Sequence, residues 1–259
     1  MATGALSGRA GLTPSPVFLA TAAVTIGGGW LAARTDDPTG PTAKAGVFLL
    51  VVAGWIVTLC LHEFAHAVTA WRAGDRSVRQ RGYLTLNPLR YANPVLSIGL
   101  PVLFIALGGI GLPGGAVLVQ TDPARRGTQT LISLAGPAVN ATAAVGLLIV
   151  IARFGSTASA PALWYGLSFL AFLQLTATVL NLLPVPGLDG YGALAPWLPA
   201  DLRGSLDRFG GYGLLVVLAL LFLPQVNAVF FDAVYGLFDL SGVPSDWSRY
   251  GASLLRFGY

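Results

Sequence analysis

Six stretches of this chain are apolar over most of the roughly 20 residues that a helix needs to cross a bilayer. They are Val17 to Ala33, Ala45 to Trp71, Pro94 to Leu112, Leu131 to Ala152, Ala162 to Leu183 and Tyr212 to Phe238. Only 10% of the 259 residues are charged. Soluble domains carry about a quarter, so this chain cannot cover a water-facing surface. That excludes a soluble enzyme, a disordered tail and a nucleic-acid reader. A polytopic membrane protein remains, with the lipid bilayer as its solvent.

The six stretches are not equivalent. Pro94–Leu112 is interrupted by Pro101, Gly108, Gly109 and Gly111. Tyr212–Phe238 contains Pro224, Asn227 and Asp232, which predicts one bent helix or two short ones. Loop charge sets the orientation. Trp71 to Tyr91 holds Arg72, Arg76, Arg79, Arg81 and Arg90 against Asp75, which predicts a cytoplasmic loop. The connection from Thr35 to Lys44 is balanced and is expected outside. Loop 113–130 carries Arg125 and Arg126 and again reads as cytoplasmic. With both loops inside, Pro94–Leu112 must enter and return rather than cross, which is tolerated where protein or water covers the backbone. Arg249 and Arg256 predict a cytoplasmic or interfacial C-terminal segment.

The expected fold is therefore an all-α polytopic membrane protein of about five or six transmembrane helices. It carries a re-entrant segment and a short β-hairpin-like cytoplasmic loop around Gly82–Pro88. Residues 1–259 are expected to form one membrane-embedded domain. The Gly/Ala/Ser/Pro-rich first 16 residues lead into a first span rather than a cleaved signal. Cys60 is the only cysteine, so no intrachain disulfide forms.

Residues 62–66 read His-Glu-Phe-Ala-His. Positions i and i+4 share one helix face, so both imidazoles can ligate one metal ion with Glu63 alongside to handle a water proton. His62 and His66 are the only histidines in the chain, and Glu63 is its only glutamate. A catalytic zinc site takes three protein ligands plus water. The third ligand must be an oxygen, and Asp is the acidic type left. Asp189 and Asp232 are the two aspartates near apolar segments. Depth favours Asp189, since Pro184, Pro186 and Gly187 break the fifth segment at the level of the histidine pair. Asn140 and Asn181 are further polar candidates. Each can bond between helices or hold a substrate carbonyl or developing oxyanion.

These residues resemble the site-2 protease family of intramembrane zinc metalloproteases, in its compact bacterial branch without PDZ or CBS domains. The match rests on His62-Glu63-Phe64-Ala65-His66 and on Asn181-Leu-Leu-Pro-Val-Pro-Gly-Leu-Asp-Gly190. Leu84-Thr-Leu-Asn-Pro88 and Ser133-Leu-Ala-Gly-Pro-Ala-Val-Asn140 extend it, so the resemblance covers about residues 45–195. It implies one zinc held by His62, His66 and Asp189, with Glu63 as general base. It also implies cleavage of a membrane-spanning protein substrate near its cytoplasmic side, with no nucleic acid involved. Tyr91 and Asn93 depart from relatives that carry His and Asp there. The alternative from a different class is a metal transporter or sensor without proteolysis. It needs no base in the Glu63 register.

Overall fold

The computed structural model describes residues 14–90 and 125–256, and every regular element among them is helical. In chain order these are α1 (Pro16–Ala33), α2 (Pro41–Arg72), α3 (Ser77–Gln80), α4 (Arg126–Phe154) and α5 (Pro161–Asn181). They continue as α6 (Asp189–Leu194), α7 (Ala200–Asp207), α8 (Gly213–Leu221), α9 (Pro224–Asp239) and α10 (Ser245–Leu254). Proline starts α1, α2, α5 and α9. Its fixed φ suits the first turn, and its missing N–H would find no intrahelical partner there. The Ser15 hydroxyl caps α1 by accepting from the Phe18 N–H at 3.1 Å.

Helices α1, α2, α4 and α5 are each long and apolar enough to cross a membrane. Helices α8 and α9 meet at 98° and are long and apolar enough only as a pair, as a broken span or a re-entrant loop. Pro224 cannot donate into the preceding turn, so the helix stops and restarts. The Asn227 side-chain amide donates to the Leu221 carbonyl at 3.0 Å, which restores a partner to a carbonyl freed by the break. The polar interruptions visible in the sequence thus produce two helices.

The bundle is built around α2. Helix α1 crosses it through small residues: a Cβ on Gly46 would lie 2.6 Å from the Ala32 nitrogen, and one on Gly28 2.5 Å from the Leu50 nitrogen. In lipid, such close backbone approach supplies the packing that a hydrophobic drive supplies in water. Helix α5 runs parallel to α2 in a constant register. Gly166 lies against Leu50, Gly54 against Leu170, and Thr58 bonds to Gln174. Helix α4 runs antiparallel to both.

One end of the bundle, the near face, collects the end of α2, residues 73–90, the start of α4 and the segment after α5. The Ser15 N–H donates to the Thr85 carbonyl there, and Thr130 at the start of α4 donates to the Ala193 carbonyl. Helix α8 starts on this face, where Gly213 lies against the Pro186 carbonyl. Helix α9 then packs Phe231 and Tyr235 on Phe172 of α5. Helix α10 ends the described chain on the far face, with Gly251 against Tyr165 and Trp247 against Gly155. The pair α8–α9 therefore crosses once. Of the two positions expected for the C-terminal arginines, the interfacial one fits the placement of α10. Parity puts α10 at the opposite end from residues 72–90. Its amphipathic surface buries Ser248, Gly251 and Leu254, and its Trp247 and Tyr250 suit an interfacial position.

The re-entrant expectation at Pro94–Leu112 lies outside the described residues. Its flanks, Arg90 and Arg125, both sit on the near face. The described part of the expected hairpin forms two 3-10 turns, Tyr83–Thr85 and Pro88–Arg90, rather than a strand. Gly82 and Leu86 take left-handed φ values of 78° and 54° on either side of the first turn.

Single-crossing topology predicts opposite labelling of two exposed serines in sealed vesicles. A membrane-impermeant thiol reagent reaches Ser205→Cys from one side and Ser253→Cys only from the other. The buried Cys60 stays unlabelled in both.

Candidate metal centre

His62 and His66 lie one turn apart on α2, both buried. The face of α4 opposite them repeats their spacing with Ile132, Gly136 and Asn140. Asn140 Oδ1 lies 2.8 Å from His62 Nδ1, and the Ile132 carbonyl lies 2.7 Å from His66 Nδ1. Both partners are acceptors, so each Nδ1–H donates and each neutral ring keeps its lone pair on Nε2. The two Nε2 atoms then face one another at 3.1 Å.

Asp189 completes the group from a third direction. Val185-Pro186-Gly187-Leu188 is a tight turn closed by the Leu188 N–H on the Val185 carbonyl at 3.0 Å. Proline in its second place and glycine at φ 95° in its third make the type II pattern, which a residue with a Cβ fits poorly. The turn sets Asp189 at the first position of α6. Its Oδ2 lies 3.2 Å from His62 Nε2 and its Oδ1 3.4 Å from His66 Nε2. Gly190 lies against the Leu182 and Leu183 carbonyls and leaves no room for a side chain. At the end of the short α6–α7 unit, the Tyr191 hydroxyl donates to Asp207 at 2.6 Å. Desolvation and that hydrogen bond push its pKa up to about 12, so it remains a donor at neutral pH.

The donor set fits a divalent ion. Zinc bonded tetrahedrally at 2.0–2.2 Å sets its ligand atoms about 3.3 Å apart. The two histidine nitrogens lie 3.1 Å apart, close to that spacing, and the Asp189 carboxylate meets them with one oxygen each, at 3.2 and 3.4 Å. Taking one donor atom from each, His62, His66 and Asp189 bring all three within 4.8 Å of one another, close enough to hold one metal ion. A Cβ on Gly136 would fall on the histidine nitrogens and within 2.6 Å of His62 Cε1, so glycine keeps the centre open. Glu63 is buried on the same turn of α2, and its Oε2 has no hydrogen-bond partner among the described residues.

Of the residues singled out from the sequence, His62, Glu63, His66 and Asp189 come together. Asp232 does not join them: it lies on α9, packed elsewhere on the bundle. Asn140 Oδ1 faces His62 and orients it, the between-helix bond that was one of its two expected roles. Asn181 is buried in the last turn of α5. Gly136 and the Ile132 carbonyl were given no role by the sequence reading. The signal for both is the four-residue spacing Ile132–Gly136–Asn140, which mirrors His62–His66. Beside the centre, a groove of about 560 Å³ runs between α2 and α4, lined by Thr69, Arg72, Leu131, Leu134, Ala135 and Ala138.

Partners that orient metal-bound histidines typically contribute roughly 10–100-fold to affinity. Asn140→Leu is expected to weaken metal binding by that factor, while Asn140→Asp, which keeps an acceptor, holds it. Gly136→Ala is expected to abolish binding. Metal titration against a competing chelator measures all three.

No family model and no solved structure matches the chain. A relative in Mycolicibacterium smegmatis, named "Putative zinc metalloprotease Rip2", is 53% identical over 249 residues, 96% of each chain. A protein of the same name in Mycobacterium tuberculosis is 52% identical over 96% of each chain. The Bacillus subtilis "Putative zinc metalloprotease YwhC" is 31% identical over 179 residues, 65% of this chain and 78% of that one. Identity of this order over nearly the full length of the Rip2 relatives, with a donor set that fits zinc, makes this chain a member of the compact site-2 protease family of zinc metalloproteases.

Proposed function

We propose that this chain is a zinc-dependent intramembrane endopeptidase that hydrolyses a peptide bond in or near transmembrane segments of membrane proteins, in regulated intramembrane proteolysis. One observation carries the reading: two imidazole nitrogens and the Asp189 carboxylate, in contact with one another at 3.1–3.4 Å, lie beside a buried, unpartnered oxygen of Glu63 on the same turn as the histidines. A transporter needs the ligands but has no use for that carboxylate.

His62, His66 and Asp189 hold the metal. When bound, zinc supplies a Lewis acid that acidifies a water and polarises the scissile carbonyl. Glu63 acts as general base. Its Oε2 takes a proton from the water as the water oxygen adds to the carbonyl carbon. It returns that proton to the amine nitrogen as the C–N bond breaks. Asn140 and the Ile132 carbonyl keep both rings in the ligating tautomer. Asn181 is a candidate to bind the substrate carbonyl.

The protein is a multi-pass protein of the cell membrane with its site toward the cytoplasm. The near face holds Arg72, Arg76, Arg79, Arg81, Arg90, Arg125, Arg126, Arg203 and Arg208 against Asp75, Asp201 and Asp207 outside the metal centre. The far face holds Arg34, Lys44, Arg153, Arg249 and Arg256 against Asp36, Asp37, Asp239 and Asp246. Excess basic charge marks the cytoplasmic side. The wall of the α2–α4 groove at Ala135 adjoins Gly136, which gives an unwound substrate strand an approach to the centre.

Purified wild type is expected to hold one zinc and cleave a transmembrane test substrate. Glu63→Gln keeps zinc but loses roughly 10²–10⁴-fold in turnover, the range of general acid–base catalysis. Asp189→Ala loses zinc and activity together. A zinc-loaded wild type that cuts no membrane segment, or a Glu63→Gln variant that cuts normally, overturns the reading.

A further inference from the structure

Gln174 lies on membrane-spanning α5 and is completely buried. Its amide Nε2 donates to Thr58 Oγ1 of α2 at 2.9 Å. The Thr58 hydroxyl is itself committed, within reach of the Trp55 carbonyl at 2.9 Å and the Gly54 carbonyl at 3.1 Å. It therefore offers Gln174 only lone pairs. Gln174 Oε1 is buried without a partner among the described residues. An amide using part of its bonding capacity in an apolar interior is a poor source of stability, and an apolar side chain of similar length would suit the site better.

We propose that Gln174 is a positioning residue: its bond to Thr58 fixes the axial register of α5 on α2 and so the distance of Asp189 from the two histidines. The inference rests on the zinc-protease reading above. Thr58 lies one turn ahead of His62, and α5 leads within a few residues to the turn that presents Asp189. A slip of one residue along a helix is about 1.5 Å, whereas ligand distances must hold to about 0.2 Å. The other α2–α5 contacts at this level, Gly54 on Leu170 and Gly166 on Leu50, are apolar and undirected. Lipid offers as good an apolar surface as a neighbouring helix, so such contacts resist sliding weakly. The hydrogen bond is directional.

The test uses the full chain in detergent, with zinc titrated against a competing chelator. Turnover of a transmembrane test substrate and thermal unfolding are followed in parallel. Gln174→Met removes the amide and keeps the length. It is expected to lose roughly tenfold in zinc affinity, by analogy with residues that support metal ligands. It also loses kcat with KM unchanged, while the melting midpoint holds or rises. Thr58→Ser, which keeps the acceptor, behaves as wild type. The Thr58→Val/Gln174→Met double variant leaves no donor stranded and loses no more than Gln174→Met alone. It carries the test if the single variant fails to fold. Zinc affinity and kcat unchanged in these variants, or lost only in step with the melting midpoint, overturn the proposal. His62→Ala separates the two readings. If wild type holds zinc no better than His62→Ala, the metal site itself fails. If wild type holds zinc and the Gln174 variants match it, the register role alone fails.

Discussion

Two imidazole nitrogens and a carboxylate, in contact with one another at 3.1–3.4 Å inside a helical bundle, set the terms for the rest of this molecule. Two imidazole lone pairs and a carboxylate repel unless a cation sits between them. Insertion scales put an acidic group at the bilayer centre at roughly 2.5–3.5 kcal/mol. The chain lowers that burden by ending α2 just past the pair, so the centre lies toward one face. Asp189 keeps 23% of its side chain exposed there, while the histidine side chains keep 8% and 10%.

Holding such a centre demands agreement between three segments distant in sequence. Helix α2 offers the pair through its own pitch. Helix α4 answers with two acceptors and a glycine at the same four-residue period. Asp189 cannot come from a helix running through the same level, because it must turn in toward the pair. The Pro186–Gly187 turn achieves this, and Gly187, Gly190 and Gly213 let the backbone thread closely past Gly210, Leu182 and Pro186. Each of these glycines is a site where a methyl group would push backbone apart, so the loop is held by steric necessity as much as by hydrogen bonds.

Much of this was legible in the sequence because the bilayer demands apolar runs of fixed length, and because a chain nearly free of His and Glu has few other places to put a metal. The span at Ala45–Trp71 and its His-Glu-x-x-His face were readable from spacing alone, and Asp189 from the helix break before it. Asn140 was left with two roles because a buried amide looks the same in sequence whether it bonds between helices or serves substrate. The deciding fact is that α4 runs antiparallel with Asn140 level with His62. Gly136 and the Ile132 carbonyl were invisible for a related reason: one has no side chain and the other acts through its backbone. The C-terminal arginines left two positions open because charge counting is weak for a short amphipathic helix; crossing parity through the bent α8–α9 pair puts α10 at the end opposite residues 72–90.

The distribution of exposure across the centre also constrains how water and a peptide reach it. Glu63 is almost wholly buried on the bundle side, and Asp189 is the ligand that meets the near face. Among the described residues, Asp189 is therefore the ligand most open to solvent. The stripe of α4 that faces the pair is filled by Ile132, the Gly136 backbone and Asn140, so a peptide cannot approach through it. The space that Gly136 keeps clear adjoins the groove wall at Ala135, which opens toward the basic near face at Arg72. On the proposed function, a substrate strand bound there must offer its carbonyls to the donor atoms. An intact helix would hide those carbonyls in its own hydrogen bonds, so access and unwinding are one requirement.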